Sequence, residues 1–367
     1  MRYIWQHIKA IIETYNGSLP LAHFLKNYYK QHPILGSRDR KIISAMAYSY
    51  YRAAKGFTTE NIEEKILACM QVCGSENLLP PALLAAGLPQ LEFAPDNLFP
   101  NDAAISGGIT QAEWLQSMCS QPNLFIRIRK DKKTILDILD KHNISYTFVG
   151  DKCLSLPNGA KIDALLEPDT YVVQDASSQQ TGEYFQPKKN ELWYDCCSGA
   201  GGKSLLLKDL ESGVRLTVTD RRETIIYNLH QRFRLYHHHL PVAHVTDVTN
   251  KALLEKALGA KKFDNIICDA PCSGSGTWAR TPEQLYFFDP KTLNDFSSLQ
   301  KTIATNVSHY LKPGGRLLYI TCSIFKEENE NAVAEITKQT GLHLIRSQII
   351  NGTSIHADSM FIAELQK

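Results

Sequence analysis

Two cysteines stand where paired thiol chemistry can operate. Cys272 lies in Asp269-Ala270-Pro271-Cys272-Ser273-Gly274, a loop delivered by the apolar run that passes through Ile266, Ile267 and Cys268. Cys322 lies in Thr321-Cys322-Ser323, at the exit of a strand-like run over 316–320 that follows the turn signal Lys312-Pro313-Gly314-Gly315. In an open α/β sheet the ligand crevice lies outside the carboxyl ends of the strands, so both thiols are expected to face one cleft. Either cysteine alone reads as a small buried residue. The pair, each followed by serine, points to thiolate chemistry.

A second group of residues suits a cofactor. Leu192-Trp193-Tyr194-Asp195 predicts a strand, 196–203 a glycine-bearing loop and 204–210 the start of a helix. Gly199, Gly201 and Gly202 allow close backbone approach, and the helix start offers free N–H groups. The loop does not fit G-x-G-x-x-G, which would need glycine at Ser204, so a dinucleotide is disfavoured. The next strand, over 214–219, ends in Asp220, where a carboxylate can take both ribose hydroxyls; a third, over 242–245, ends near Asp247. One acid at a strand end is usually a cap or turn former. Asp195, Asp220 and Asp247 in series favour a nucleoside-bearing cofactor such as S-adenosylmethionine.

The remaining chain must position these groups. With 367 residues there is room for two or three domains, and a formal charge of +2 means that any nucleic-acid-binding surface is local. Residues 1–60 supply one, with nine Lys or Arg against three acids. Ile4, Ile8, Ile11 and Ile12, then Leu21, Phe24, Leu25 and Tyr28, then Ile42, Ile43, Met46, Ala47 and Tyr50 predict three helices, with Ser37 as cap of the third. Residues 117–170 read as a small α+β unit whose cluster Arg127, Arg129, Lys130, Lys132 and Lys133 could meet phosphates or could be an ordinary strand end. Nine cysteines in a long chain without a leader imply reduced thiols. No metal site is expected: Cys69 and Cys73 lack a matching pair, and His237-His238-His239 reads as a solvated loop. The longest apolar region, 78–91, is broken by prolines and too short to span a bilayer. A cytoplasmic protein, monomeric and without membrane attachment, is expected.

The residues also carry a family resemblance. Asp195-Cys196-Cys197-Ser198-Gly199-Ala200-Gly201-Gly202-Lys203, the Asp269 to Gly274 loop, and Tyr319-Ile320-Thr321-Cys322-Ser323-Ile324 followed by Glu327-Glu328-Asn329-Glu330 resemble the signatures of RNA cytosine-5 methyltransferases. Residues 171–178, Arg280 with Pro282, and Phe361-Ile362-Ala363 extend the likeness over about 120–367. Residues 37–52, with Arg38, Asp39, Arg40 and Tyr48, resemble a NusB-like RNA-binding domain found in the small-subunit ribosomal RNA methyltransferase B branch. Departures are the missing proline before Gly201-Gly202-Lys203, and Ile225 where many members carry arginine.

This resemblance implies a class I S-adenosylmethionine methyltransferase fold, Rossmann-like with a mostly parallel seven-stranded sheet, over 171–367. A small α+β unit over 117–170 and an N-terminal all-α NusB-like domain over 1–116 would precede it. Cys322 would be the nucleophile that adds to cytosine carbon 6, Cys272 would assist proton removal and release, and Asp269 would bind the ring edge. Cys197, Ser198, Gly199, Ala200, Gly201, Gly202, Lys203, Asp220, Asp247 and Asp269 would hold S-adenosyl-L-methionine. Trp278, Tyr286 and Phe287 could stack on the base or pack in the core. The partner would be RNA, 16S ribosomal RNA before transfer RNA. A DNA cytosine-5 methyltransferase would use the Pro-Cys thiol alone, so the second cysteine argues against it; a non-catalytic RNA-binding assembly factor is the other alternative.

Overall fold

The computed structural model describes residues 2–367, which divide into two compact units. The first is helical and comprises the chain up to Asp102 together with Thr110–Pro122 and Thr277–Pro290. Helices Arg2–Thr14, Leu21–Gln31 and Ser37–Ala53 form where apolar residues recur at helical spacing. Ile8, Ile11, Leu21, Ile43, Met46 and Ala47 are buried in one core. Ser37 is not the cap that its type suggested: Gly36 is, and its N–H donates to Asp39 three positions into the helix. Arg52 is withdrawn from any basic surface, being buried with Nη1 donating to Met118 O and Ser120 O.

Helix Pro282–Phe287, far along the chain, belongs to this helical unit. Glu283 accepts the Leu21 N–H at 3.0 Å, and Tyr286 packs edge-on against Tyr51. Trp278 is fully buried against Trp114, Phe99 and Phe288. These aromatics therefore serve as packing groups of the helical unit, and base stacking by Trp278 is ruled out by its burial.

The second unit comprises Ala103–Ile109, Asn123–Gly276 and Lys291–Lys367. Its small antiparallel sheet contains β1 (Leu124–Ile128), β2 (Thr147–Phe148), β3 (Cys153–Leu156) and β4 (Tyr171–Val173) in the order β2-β3-β1-β4. Because Ile126 pairs with Val173, this sheet crosses the division expected after residue 170, and the division expected after 116 falls inside helix Gln111–Met118. The main sheet is built from β5 (Leu192–Asp195), β6 (Arg215–Asp220), β7 (Val242–Val245), β8 (Phe263–Asp269), β9 (Leu311–Thr321), β10 (His343–Ile350) and β11 (Met360–Gln366). Its order is β10-β11-β9-β8-β5-β6-β7, parallel from β9 to β7 and antiparallel at β10 and β11. Ile266, Ile267, Leu317 and Leu318 are fully buried at its centre, as expected for strands covered on both faces.

Of the basic cluster at the end of β1, Arg127 and Arg129 are engaged internally, whereas Lys132 and Lys133 are exposed. Arg127 Nη1 and Arg129 Nη2 reach Asp209 at 2.6 and 2.8 Å, and His238 Nε2 lies 2.7 Å from the same carboxylate. Lys130 pairs with Asp169. His238 is thus a half-buried partner of Asp209, while His237 and His239 are exposed as a solvated loop would be. Asp209 sits at the end of helix Gly202–Leu210, so this pairing fixes the helix that carries the glycine loop. Burial pushes the Asp209 carboxyl up, but His238, Arg129 and Arg127 outweigh it and hold the group far below the usual carboxylate range. A depressed folded pKa stabilises the fold above the ordinary carboxylate range, and the gain is lost as pH falls below about 4. Asp209→Asn leaves two arginines facing a neutral amide and is expected to destabilise by about 3 kcal/mol at pH 7. In denaturant unfolding, the gap from wild type should narrow as pH drops below about 4.

Candidate functional site

The two thiols are brought together by strand register. β8 and β9 are parallel with Asp269 opposite Ile320, and Ala270 N–H donates to Ile320 O at 2.9 Å. The loops that follow therefore leave the sheet side by side. Cys272 Sγ and Cys322 Sγ lie 3.2 Å apart, both partly accessible. The contact with Cys322 is the largest cause holding the Cys272 thiol well above its ordinary range, followed by burial. Gly276 closes the loop where its backbone threads between two others: its N–H donates to Cys322 O and its carbonyl accepts from Ser359 N–H, both at 2.9 Å. A Cβ there would lie 2.0 Å from Ser359 O, so only glycine fits.

Beside the thiols lies a cleft of about 320 Å³ lined by Cys197, Asp220, Asp247 and Asp269, with Val248, Leu299 and Ile303 as its apolar wall. Four expected cofactor residues thus converge. Lys203 joins them through a 2.6 Å ion pair with Asp269. Ser198, Gly199, Ala200, Gly201 and Gly202 do not line the cleft; they build the turn behind it. Ser198 donates to Thr219 O, Gly199 N–H donates to Asp220, and Gly201, at φ 82°, starts helix Gly202–Leu210. The Asp247 carboxyl is held below its ordinary range by the side chain and N–H of Thr249.

Two carboxylates differ from the simple series. Asp195 ends β5 as expected but points into the core, fully buried and accepting from Ser204 Oγ at 2.7 Å. Burial pushes its carboxyl up to about 7. Asp220 lines the cleft, yet Arg222 grips both of its oxygens, Nε to Oδ1 at 3.0 Å and Nη2 to Oδ2 at 3.1 Å. Burial works to raise the Asp220 carboxyl, and Arg222 outweighs it. The sequence reading passed over Arg222 because nothing in its spacing distinguishes a residue two places after an acid. It also passed over Thr246 and Pro271, which line the cleft. Among the described residues no group of three His, Cys, Asp or Glu could hold a metal ion, and no helix is long and apolar enough to cross a membrane.

The donor set fits S-adenosylmethionine: carboxylates at the carboxyl ends of β6 and β8 and beyond β7, and an apolar wall for a base. Sheet order and cleft together define a class I, Rossmann-like methyltransferase domain. Residues 183–365 match the family of 16S rRNA methyltransferases RsmB/F, and through this segment the chain belongs to that family. The ribosomal RNA small subunit methyltransferase B of Enterobacter sp. (strain 638) is 27% identical over 238 residues, which are 62% of this chain and 54% of that protein. The chain thus spans about half the length of such curated relatives. Among solved structures, PH0851 aligns with a TM-score of 0.71 over 93% of both chains at 17% identity. NSun6 from Pyrococcus horikoshii with SFG aligns with a TM-score of 0.61 at 16% identity, over 74% of this chain and 96% of that one. At such identities the likeness establishes the fold.

Asp195 offers a test of how the buried end of β5 is held. A folded pKa near 7 lies above the unfolded value near 4, so its contribution is full below about 4 and is lost as pH rises through about 7. Asp195→Asn keeps an acceptor for Ser204 and cannot ionise. Between pH 4 and pH 8 its stability should rise relative to wild type by on the order of 3 kcal/mol, read from urea midpoints at each pH.

Proposed function

We propose that this chain transfers a methyl group from S-adenosyl-L-methionine to carbon 5 of a cytosine in RNA, with 16S ribosomal RNA as substrate. The observation that carries this reading is the 3.2 Å approach of Cys272 and Cys322 beside Asp269. The family description and the names of the curated relatives support the RNA class. Carbon 5 of cytosine is a poor nucleophile until a thiolate adds to carbon 6. S-adenosylmethionine supplies the electrophilic methyl group when bound.

In this reading Cys322 attacks carbon 6, and the ring electrons move toward carbon 5. Asp269, oriented by Lys203, holds the ring edge at N3 and the amino group while charge develops there. After methylation carbon 5 carries a proton and a methyl group. Cys272 assists removal of that proton; its electrons restore the ring double bond and expel the Cys322 thiolate. The main cause holding the Cys272 thiol up is its contact with Cys322, so bonding of Cys322 to carbon 6 lets Cys272 release its own proton to solvent and then accept the one from carbon 5. Arg2, Lys26, Lys30, Arg38 and Lys41 are exposed on the helical unit and suit phosphate contacts. Nine free cysteines suit a reducing, cytoplasmic setting.

Arg222 occupies the oxygens that ribose hydroxyls would use, so cofactor binding must displace it. Arg222→Met should tighten binding of S-adenosylmethionine or sinefungin by up to about 5-fold in calorimetry, since an exposed ion pair is worth up to about 1 kcal/mol; weaker binding would make Arg222 a ligand contact instead. Cys322→Ala should abolish methyl transfer, whereas Cys272→Ala should accumulate a covalent protein–RNA adduct visible on denaturing gels. An adduct formed without Cys322 would reverse the two roles. Labelled S-adenosylmethionine with unmodified 16S ribosomal RNA and, separately, transfer RNA decides the substrate. Label in transfer RNA alone would sink the ribosomal assignment, and label in neither would favour a binding protein.

A further inference from the structure

We infer that Glu328 is a positioning residue that sets the gap between the two reactive thiols by clamping the loop after Cys272 to the loop after Cys322. This rests on the cytosine-5 reading above. Glu328 is fully buried. Its Oε1 accepts Ser273 N–H at 2.8 Å and Gln300 Nε2 at 2.9 Å. Its Oε2 accepts the hydroxyls of Ser273 and Ser323, each at 2.5 Å. Ser273 directly follows Cys272 and Ser323 directly follows Cys322, so one carboxylate bonds the neighbour of each thiol.

A buried carboxylate is stable only when its lone pairs are filled, and being acceptor-only it dictates that every partner donates. Each serine hydroxyl is thereby turned toward Glu328, which fixes both turns. Adjacent groups brace the clamp. Gln300 also donates to Pro271 O, and Tyr319 Oη donates to Glu328 O and lies 3.0 Å from Gln300 Oε1. Asn329 accepts from Thr321 Oγ1 at 2.6 Å and donates to Ser323 O at 2.8 Å. The acidic stretch Glu327-Glu328-Asn329-Glu330 thus holds the flanks of Cys322, and through Ser273 the flank of Cys272. Glu328 does not touch the cleft and acts through the thiols alone.

Glu328→Gln tests this. The amide oxygen can still face the Ser273 N–H, and the two hydroxyls can reverse to accept from the amide nitrogen, so the fold is kept while the charge-assisted bonds are lost. Misplacing a reacting group by about 1 Å costs about 100-fold in rate. The expected result is a kcat on 16S ribosomal RNA lowered 10- to 100-fold, with KM for RNA and Kd for sinefungin within about 2-fold of wild type. Covalent protein–RNA adduct should accumulate on ordinary RNA, because Cys322 still adds while Cys272 no longer releases. Ser323→Ala, which deletes one bond and leaves Glu328 in place, should do the same more weakly and carries the test if Glu328→Gln does not fold. Wild-type turnover without adduct in both variants would overturn the inference, as would loss of sinefungin binding in step with activity. A wild-type protein that forms no adduct with RNA containing 5-fluorocytosine, where the carbon 5 substituent cannot leave, would overturn the underlying reading and the clamp's role with it.

Discussion

The parallel pairing of β8 with β9 is the constraint on which the rest of this structure depends. Backbone N–H and C=O groups buried at the sheet centre must be paired, and between these strands they are satisfied only in one register. Ile266, Ile267, Leu317 and Leu318 leave no solvent to substitute for a lost ladder bond. With Asp269 opposite Ile320, two loops separated by 50 residues in sequence emerge at one level, and their thiols meet. A shift of one residue would break ladder bonds that no solvent can replace and would move one loop relative to the other, so pairing of the core strands and approach of the thiols are fixed by the same bonds.

Around that edge, four aspartates meet four environments. Asp195 is buried with a hydroxyl partner, and burial pushes its carboxyl up to about 7. Asp220 is paired with Arg222, Asp247 is wrapped by its own turn, and Asp269 is paired with Lys203. Residue type and position at a strand end are the same in kind for all of them. What separates a core group from a cleft group is which side chain reaches it from another element.

The chain also interleaves. The reactive loop ends at Gly276, and Thr277–Pro290 then belongs to the helical unit, where Glu283 binds the start of helix Leu21–Gln31. No composition shift marks that passage, because a short amphipathic helix looks alike whichever core it enters. The small sheet is similar: the pairing of β4 with β1 is a long-range choice that blurs the expected boundary after residue 170.

Local pattern determined a good deal. Periodicity placed the three N-terminal helices and the strands of the parallel sheet, since burial of one face leaves a period of 3.6 or a compact apolar run. The glycine loop, the acids beyond β6 and β7, and the two Cys-Ser pairs declared the chemistry, because those groups are rare at strand ends unless used. Tertiary structure alone decided the 3.2 Å thiol contact, the retreat of Trp278, Arg52 and Asp195 into cores, the Arg222 grip on Asp220 and the Glu328 bridge between two loops. Each is a contact between residues distant in sequence or a rotamer set by such contacts. Such contacts follow from how separate elements pack, which no run of neighbouring residues encodes.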